Sequence, residues 1–320
     1  MTTSVALLVP ILVFAVVALF AFAGCSSFAA EPSQSPPAGP GPGPGPDPDP
    51  TKQPHPDPTP PPPYQDVISN ETGLRGYWRL GEAAGATTAA DSKPVVAMRR
   101  PGTFKPGVTL GEPGALRLGK DATDTAAAFD GTGFVEIDTH DDVVNPPLSF
   151  SIEAWVRPAF TGAATGTIVA SIEGRPERRG FALEVVQDAA GVLKAQVRVG
   201  DGGLTAPTPV QAALGPSTLD GWRHVVATYD GVTKQLQLYV TTGPTPTMSA
   251  APGPVVYKPA DTTNDPFRIG AGRDENQFSV GGVPTPPANL FVGRIDEVAL
   301  YDRALDAATV ADHFAKATTK

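Results

Sequence analysis

The carboxyl groups of this sequence are the first candidates for chemistry, because hydrolysis of a glycosidic bond uses two of them around one sugar. On a strand, two carboxyl groups share a face when they stand at alternate positions. Asp296 and Glu297 are adjacent in the sequence. Adjacent positions predict opposite faces. We therefore expect no catalytic carboxylate pair.

The histidines and serines give no catalytic pattern either. His55, His140, His224 and His313 are scattered without the spacing of a metal site. No Gly-x-Ser-x-Gly, the turn that presents a nucleophilic serine, occurs in the sequence. The sequence thus predicts a protein that is not an enzyme.

Apolar residues alternate with other side chains from Ser149 to Val156, and this alternation predicts a ligand-binding surface. If Phe150 and Ile152 face a core, then Glu153 and Trp155 face away from it. The same alternation gives a predicted ligand-binding set of Glu153, Trp155, Arg157, Glu184, Arg198 and Tyr239. An aromatic ring beside carboxylates and guanidiniums suits sugars, which take stacking and directional hydrogen bonds. Two alternatives stay open: a plain solvated face, or a Trp155 buried under crossing loops.

The same period of two recurs along the chain after residue 63, so these residues are expected on strands. Further alternating segments cover 181–186, 192–199, 222–229, 235–240 and 291–301, with Gly, Pro, Asp and Asn clusters between them. Strands of about six residues with such turns predict an antiparallel sandwich or barrel. A helical stripe of Ala307, Val310, Ala311 and Phe314 predicts a short C-terminal helix over 306–316, covering a sheet edge or end.

The charge of the chain limits the partners that it can bind, and its cysteine content limits the disulfides that it can form. The net charge is −9 without a basic stripe, and phosphate neutralisation needs clustered Lys and Arg, so nucleic acid is not expected. A mildly acidic surface is compatible with a bound divalent cation. The single cysteine, Cys25, excludes a disulfide within the chain.

Residues 1–30 are predicted to be a signal or membrane-anchor segment. Val5 to Gly24 carries no charge, and about 20 apolar residues span the hydrocarbon core of a bilayer. Small residues before Cys25 and Ser26-Ser27 after it resemble a bacterial lipoprotein processing site, in which the Cys is lipidated. An uncleaved signal anchor and free secretion are the alternatives. The two leading interpretations both predict a membrane-anchored protein whose remaining chain is extracytoplasmic.

Residues 31–63 are predicted to be a disordered, Pro-rich stalk. Positions 32–63 hold 16 prolines in 32 residues, and proline fixes φ and lacks an N–H donor. Such a segment favours extended polyproline II and serves as a spacer. Residues 64–320 then form one folded domain.

The ordered strings of this domain resemble a known family. They are Gly76–Glu82 (GYWRLGE), Phe129–Gly131 (FDG), Phe150–Val156 (FSIEAWV), Trp222–Gly231 (WRHVVATYDG), Leu238–Val240 (LYV) and Gly293–Leu305 (GRIDEVALYDRAL). Together they are similar to the laminin-G-like jelly roll of the concanavalin A-like lectin/glucanase superfamily. The resemblance covers about residues 74–316. Two segments depart from the pattern: Thr241–Pro244, where relatives turn on Asp-Gly, and a Pro-rich excursion from Arg273 to Pro287.

The resemblance implies an all-β, antiparallel two-sheet sandwich and a structural Ca²⁺ between the early turn and the last strand. Its implied ligands are Asp296, the best candidate, with Asp130 or Asp91 and backbone carbonyls near Gly131. The alternative is that Asp130 makes an Asx turn and Asp296 pairs with an arginine. Trp78 and Trp222 are expected in the core.

Taken together, the sequence predicts a non-catalytic cell-surface module, displayed on a stalk, that binds a glycan or an extracellular protein. A structural or adhesive surface protein without a small ligand is the first alternative. A degenerate glycoside hydrolase is the second.

Overall fold

The computed structural model describes residues 63–137, 144–205, 208–217, 219–260, 266–274, 276–278 and 285–319. The predicted anchor over 1–30, with Cys25, and the predicted stalk up to residue 62 lie outside these residues and stay predictions. Within the described ranges, no helix is both long enough and apolar enough to cross a bilayer.

The alternating segments form short strands, as their period of two predicts. In chain order the strands are β1 (Leu74–Trp78), β2 (Thr88–Ala89), β3 (Gly102–Phe104), β4 (Val108–Pro113), β5 (Thr125–Asp130), β6 (Val135–Ile137), β7 (Phe150–Pro158), β8 (Ala164–Ile172), β9 (Gly180–Gln187), β10 (Leu193–Val199), β11 (Val210–Ala213), β12 (Arg223–Asp230), β13 (Gln235–Thr241), β14 (Thr247–Ala250), β15 (Phe267–Ile269), β16 (Gly272–Arg273), β17 (Pro287–Ala288) and β18 (Val292–Tyr301).

Two antiparallel sheets build the sandwich. Sheet A has the order β14-β13-β12-β7-β18-β5-β4, and β1 pairs with the second half of β18. Sheet B has the order β11-β10-β9-β8-β15-β6-β3-β2, and β16 and β17 form a separate ribbon. The predicted fold class, an all-β two-sheet jelly roll, is confirmed.

The main core lies between the two sheets. Phe150, Ile152, Ala154 and Val156 point inward from β7, as their alternation predicts, and belong to one buried cluster with residues of sheet B such as Phe181. Trp78 belongs to the same cluster and stacks on Phe267 with 5.1 Å between ring centroids.

Two helices flank the sandwich. The predicted C-terminal helix is present as α2 (Ala307–Thr318), and the Asp306 carboxylate accepts a 2.8 Å hydrogen bond from the Thr309 N–H, a typical N-cap. A second, shorter helix, α1 (Tyr64–Ser69), was not predicted. The position expected for the C-terminal helix is corrected: α2 covers the outer face of sheet A, where Phe314 packs on Trp155, rather than a sheet edge or end.

Candidate functional site

The outer face of sheet A is closed by the two helices and carries a second buried cluster. Trp155 from β7 stacks on Phe314 from α2, with 5.6 Å between centroids and 16° between planes. Tyr64 from α1 and Tyr239 from β13 belong to the same cluster, and so does Trp222, which is buried as expected. The covered face therefore leaves no path by which a surface ligand could reach Trp155.

A carboxylate lies at the centre of this covered face. Glu153 is fully buried and accepts hydrogen bonds from Tyr64 Oη at 2.9 Å and Tyr301 Oη at 2.8 Å. His224 Nε2 lies 2.7 Å from its Oε1, and His313 Nδ1 lies 2.9 Å from its Oε2. The five side chains come from β7, β12, β18, α1 and α2, so this cluster, the Glu153 centre, ties both helices to the sheet.

In the Glu153 centre, the negative charge of Glu153 is balanced by the positive charge of His313. Burial favours the neutral form of Glu153, but the His313 charge and the hydrogen bonds from His224 and His313 outweigh it and hold the pKa of Glu153 well below its ordinary value. Burial likewise opposes the charge on His313, yet the adjacent Glu153 raises the pKa of His313 to about 9. A buried Glu153–His313 ion pair follows, with Glu71 on the second ring nitrogen at 3.4 Å.

A second cluster of carboxylates arises at a β-bulge in β18. The register between β18 and β7 shifts between Asp296 and Ala299, and Glu297 has a φ of +51°. The extra residue turns Asp296 and Glu297 to the same side of the sheet. The expectation that adjacent positions face opposite sides is therefore wrong here, because it assumes an unbroken strand.

Asp124 completes this carboxylate cluster. Ligand atoms of Asp124, Asp296 and Glu297 lie within 4.8 Å of one another, and all three residues are buried. Arg79 Nε donates to Glu297 Oε1 at 2.9 Å, and Tyr77 Oη donates to Glu297 Oε2. A Cβ at Gly114 would lie 2.1 Å from Asp124 Oδ2, so the close approach of the loop needs glycine there.

One carboxylate oxygen of this cluster has no hydrogen-bond partner among the described residues. Asp296 Oδ2 accepts from the Ala115 N–H at 2.7 Å, whereas the buried Asp296 Oδ1 accepts from none of them. Burial, with Asp124 and Glu297 nearby, raises the pKa of Asp296 well above its ordinary value. Burial also raises the pKa of Glu297, to about 7. A hard divalent cation such as Ca²⁺ prefers carboxylate oxygens as ligands and would neutralise the clustered charge. The three carboxylates, with the buried Asp296 Oδ1 among their oxygens, fit such an ion.

The other two predicted metal ligands do not join Asp296. Asp91 accepts three backbone hydrogen bonds, from Tyr77, Lys93 and Arg100, at 2.8–3.1 Å. Asp130 accepts from Thr132 N at 2.8 Å and Thr132 Oγ1 at 2.7 Å, which is an Asx turn. The structure brings Asp124 and Glu297 to Asp296 instead.

The six predicted ligand-binding residues divide between two outer faces. Glu153, Trp155, Arg157 and Tyr239 belong to sheet A, whereas Glu184 and Arg198 belong to sheet B. Of the sheet A members, Glu153 and Trp155 have no exposed surface, and Arg157 pairs with Asp220 at 3.3 Å. The set therefore does not form one continuous surface, because β9 and β10 turn their polar sides away from sheet A.

The outer face of sheet B carries an ordered row of polar side chains. Arg198 donates to Glu184 in a bidentate pair, with distances of 2.8 and 2.9 Å. Gln196 Nε2 donates to Glu184 Oε2 at 2.7 Å, and Gln211 Nε2 donates to Gln196 Oε1 at 2.9 Å. Each of these side chains is thereby held in one position.

A pocket opens at the end of this row, with a volume of about 440 Å³. We call it the arginine pocket, and its lining residues are Arg178, Arg198, Arg273, Asp274, Asn276, Ala288 and Asn289. The β16–β17 ribbon forms one wall and is held to sheet B by the Thr167 N–H, which donates to the Asn289 carbonyl at 2.7 Å.

Exposed apolar side chains stand beside the arginine pocket. Phe278 is 62 % exposed and follows the lining residue Asn276 by two positions. Leu204 is 73 % exposed, and its carbonyl accepts a hydrogen bond from Arg178. Sequence reasoning missed this pocket because Arg178 and Asn276 lie on loops. The signal available was the excursion from Arg273 to Pro287, which departs from the family pattern.

The architecture, two antiparallel sheets packed face to face with helices over the outer face of sheet A, is that of a concanavalin A-like lectin or glucanase. A family profile described as the concanavalin A-like lectin/glucanases superfamily, laminin G-like, matches residues 129–311, more than half of the 320 residues. The chain belongs to this laminin-G-like family.

Solved structures of similar fold share little sequence with this chain. Domain 4 of an extracellular arabinanase from Geobacillus stearothermophilus, in complex with arabinotriose, is 18 % identical with a TM-score of 0.44, covering 75 % of this chain and 97 % of that one. Trypanosoma rangeli sialidase in complex with sialic acid is 14 % identical with a TM-score of 0.47, covering 79 % and 37 %. A Ruminococcus gnavus IT-sialidase CBM40 bound to alpha2,3 sialyllactose is 12 % identical with a TM-score of 0.42, covering 58 % and 93 %. Comparison with curated protein sequences found no match.

Proposed function

We propose that this domain is a non-catalytic carbohydrate-binding module whose ligand lies on the outer face of sheet B. The observation that carries the proposal is the arginine pocket with the exposed ring of Phe278 beside it. Sugars bind through an apolar ring face and fixed polar groups, and this surface offers both. The superfamily to which the chain belongs includes lectins.

The placement of the carboxylates supports a role without catalysis. A glycosidase needs two carboxyl groups that reach the scissile bond. Asp296 and Glu297 share a face, but both are buried, with relative exposures of 0 % and 1 %. Glu184 belongs to the outer side of sheet B, but it is 1 % exposed and is paired with Arg198. These residues act as structural or positioning groups.

The proposal is tested with a glycan array probed by the full chain, followed by affinity measurements on the best ligand. Phe278→Ala should weaken binding roughly two- to tenfold, because one stacking contact is lost. Met248→Ala is the matched control, since Met248 is 50 % exposed on sheet A. Equal weakening by both variants, or no glycan bound at all, would contradict the proposal.

We further propose a structural Ca²⁺ held by Asp124, Asp296 and Glu297. The supporting observation is the unpartnered, buried Oδ1 of Asp296 among three clustered carboxylates. Bound to these residues, the ion would stabilise the folded state by mass action. Thermal unfolding in saturating CaCl₂ should therefore occur at a higher temperature than in EDTA.

For the N-terminal part we propose export and membrane tethering through a lipid on Cys25, which would display the domain on the stalk. The apolar segment and the small residues before Cys25 support this proposal. Cys25→Ser should abolish incorporation of labelled lipid and alter the apparent mass. Unchanged mass and unchanged labelling would reject it.

A further inference from the structure

The carboxylate cluster of Asp124, Asp296 and Glu297 is contacted by a cation of the chain itself, the guanidinium of Arg79. Arg79 Nε donates to Glu297 Oε1 at 2.9 Å, and Nη2 donates to Asp124 Oδ1 at 3.4 Å. Asp296 Oδ1, by contrast, accepts from none of the described residues. One positive charge therefore contacts two of the three clustered carboxylates.

Arg79 also stands between the carboxylate cluster and solvent. Its side chain is 26 % exposed, whereas those of Asp124 and Glu297 are 1 % and 0 % exposed. Tyr77, the other side chain that donates to Glu297, is fully buried. On its outer side, Arg79 lines a pocket of about 280 Å³. A cation that reaches the cluster from this pocket therefore meets the guanidinium first.

The pocket offers Arg79 a second set of partners. Gln65 Oε1 accepts from Arg79 Nη1 at 2.8 Å, and Asp121 Oδ2 lies 3.9 Å from Nη2. Both residues line the pocket, and the Asp121 side chain is 43 % exposed. The guanidinium thus contacts the inner carboxylates on one edge and outer oxygens on the other. A turn of the arginine side chain toward the pocket would free the inner oxygens without leaving Arg79 unpaired.

A divalent cation and this guanidinium compete for the same oxygens. Ca²⁺ prefers carboxylate oxygens as ligands, and Arg79 occupies one oxygen of Glu297 and one of Asp124. Two positive charges on the same buried carboxylates repel each other strongly, because burial lowers the effective dielectric constant. An ion at the cluster therefore favours the outward position of Arg79, and the inward position of Arg79 weakens binding of the ion.

We propose that Arg79 is an internal competitor of Ca²⁺ that sets the affinity of the carboxylate cluster for the ion. This inference rests on the proposed calcium site and names the residue that regulates it. Without the ion, Arg79 pairs with Glu297 and Asp124. When the ion binds, Arg79 turns outward and pairs with Asp121 in the pocket.

Calorimetric titration of the full chain with CaCl₂ tests the competition. Arg79→Gln should lower the Kd for Ca²⁺ about tenfold or more, because the repulsion and the competing hydrogen bonds are both lost. Arg75→Gln is the matched control, since Arg75 lies on the neighbouring strand β1, pairs with Asp302 at 3.1 Å and is 24 % exposed. The Kd of this control should equal that of the unmodified protein.

Asp121→Asn tests the outward position of Arg79. The substitution removes the charge that receives Arg79 but keeps the oxygen that accepts from the Thr123 N–H at 3.1 Å. The Kd for Ca²⁺ should therefore rise about two- to threefold, as expected for the loss of one exposed ion pair. In the Arg79→Gln background, the same substitution should leave the Kd unchanged, whereas a general loss of negative charge would raise the Kd in both backgrounds.

The possible results separate the competitor from the site. Equal Kd values for Arg79→Gln and the unmodified protein would overturn the competition but leave the calcium site intact. Binding by Arg79→Gln alone would support the competition and show that the guanidinium takes the place of the ion. Ca²⁺ binding by neither protein would contradict the calcium site itself.

Two further measurements guard against misreading these titrations. Asp296→Asn combined with Arg79→Gln should abolish binding, and a double variant that still binds Ca²⁺ with the affinity of Arg79→Gln would place the ion elsewhere. Circular dichroism shows whether each variant is folded. If Arg79→Gln does not fold, Asp121→Asn alone carries the test, and an unchanged or lower Kd in that variant would overturn the outward position.

Discussion

Glu153 shows how a single buried carboxylate can hold an irregular part of a β-sandwich in place. A charge with 0 % exposure persists only when it is paired and hydrogen-bonded. Here the donors come from His224, His313, Tyr64 and Tyr301. Because two of them belong to α1 and α2, we expect removal of the charge to loosen both helices together.

The Glu153–His313 pair makes stability depend on pH. The folded-state pKa of His313 is raised to about 9 from 6.5, so its contribution is complete below 6.5 and is lost as the pH rises through about 9. The pKa of Glu153 is lowered from 4.5, so its contribution is present above 4.5 and is lost as the pH falls below it. We expect the pair to stabilise most between about pH 4.5 and 6.5, with a high-pH loss on the order of 3 kcal/mol.

Chemical unfolding at several pH values measures this dependence. His313→Gln should flatten the decrease between pH 6.5 and 9, because the titrating ring is gone while an amide remains. Other groups contribute equally to both proteins and cancel in the difference. An undiminished decrease in His313→Gln would show that His313 is not the titrating group.

Asp296 gives a prediction that separates a cation from a proton at the carboxylate cluster. Asp296→Asn removes a proposed metal ligand but closely mimics a protonated carboxyl group. If Ca²⁺ binds, the variant should lose the difference in unfolding temperature between CaCl₂ and EDTA. Asp130→Asn is the control, because Asp130 serves a turn and should keep that difference. Retention of the Ca²⁺ effect in Asp296→Asn would rule out this cluster as the site.

At the residue scale, the sequence predicts which way a side chain points better than it predicts which residues the side chain contacts. The alternation in β7 correctly predicts that Glu153 and Trp155 face away from the main core. It could not predict that α1 and α2 cover them, because that depends on Tyr64 and His313, which are far apart in sequence. His313 stands among the apolar residues of α2, and such a polar residue in an apolar stripe signals a buried partner.

Among the secondary-structure elements, helix α2 depends for its stability on the capping residue at its first turn. Asp306 caps the helix, and its loss typically costs about 1 kcal/mol. Asp306→Ala should therefore lower the free energy of unfolding by about that amount in urea titrations. Asp312→Ala is the matched control, since Asp312 is exposed and its contact with Lys316 spans 3.9 Å. Equal losses of unfolding free energy in the two variants would show that Asp306 does not stabilise α2 as a cap.

In strand β18, the alternation of inward and outward side chains is interrupted, although the strand itself is predicted from the sequence. Its string Gly293–Leu305 marks the strand, and Val298 and Leu300 point inward as alternation requires. The bulge at Glu297 depends on its pairing with Arg79 and Tyr77 of the β1 segment, which the local sequence does not reveal. For the same reason, the carboxylate cluster could not be predicted from the spacing of Asp296 and Glu297.

Over the whole domain, the two outer faces are built differently. Sheet A is covered by helices and holds its charges in closed clusters, whereas sheet B carries a polar row and an open pocket. The two-sheet sandwich and the inward-facing residues of its core follow from the strand pattern. The pocket does not, because it forms where the loop at Arg178 meets the β16–β17 ribbon.

This division predicts how the domain responds to a ligand. All three tryptophans, Trp78, Trp155 and Trp222, are buried in the main core or beneath the helices of sheet A, with relative exposures of 0–1 %. A glycan on sheet B should therefore leave tryptophan emission and its quenching by iodide unchanged, while amide exchange slows in β9, β10 and the β16–β17 ribbon. Unfolding in urea supplies the positive control for the emission change. A marked shift in emission on binding, with protection of β7 and α2 instead, would move the ligand to sheet A, because a sugar can contact Trp155 only after α2 has been displaced.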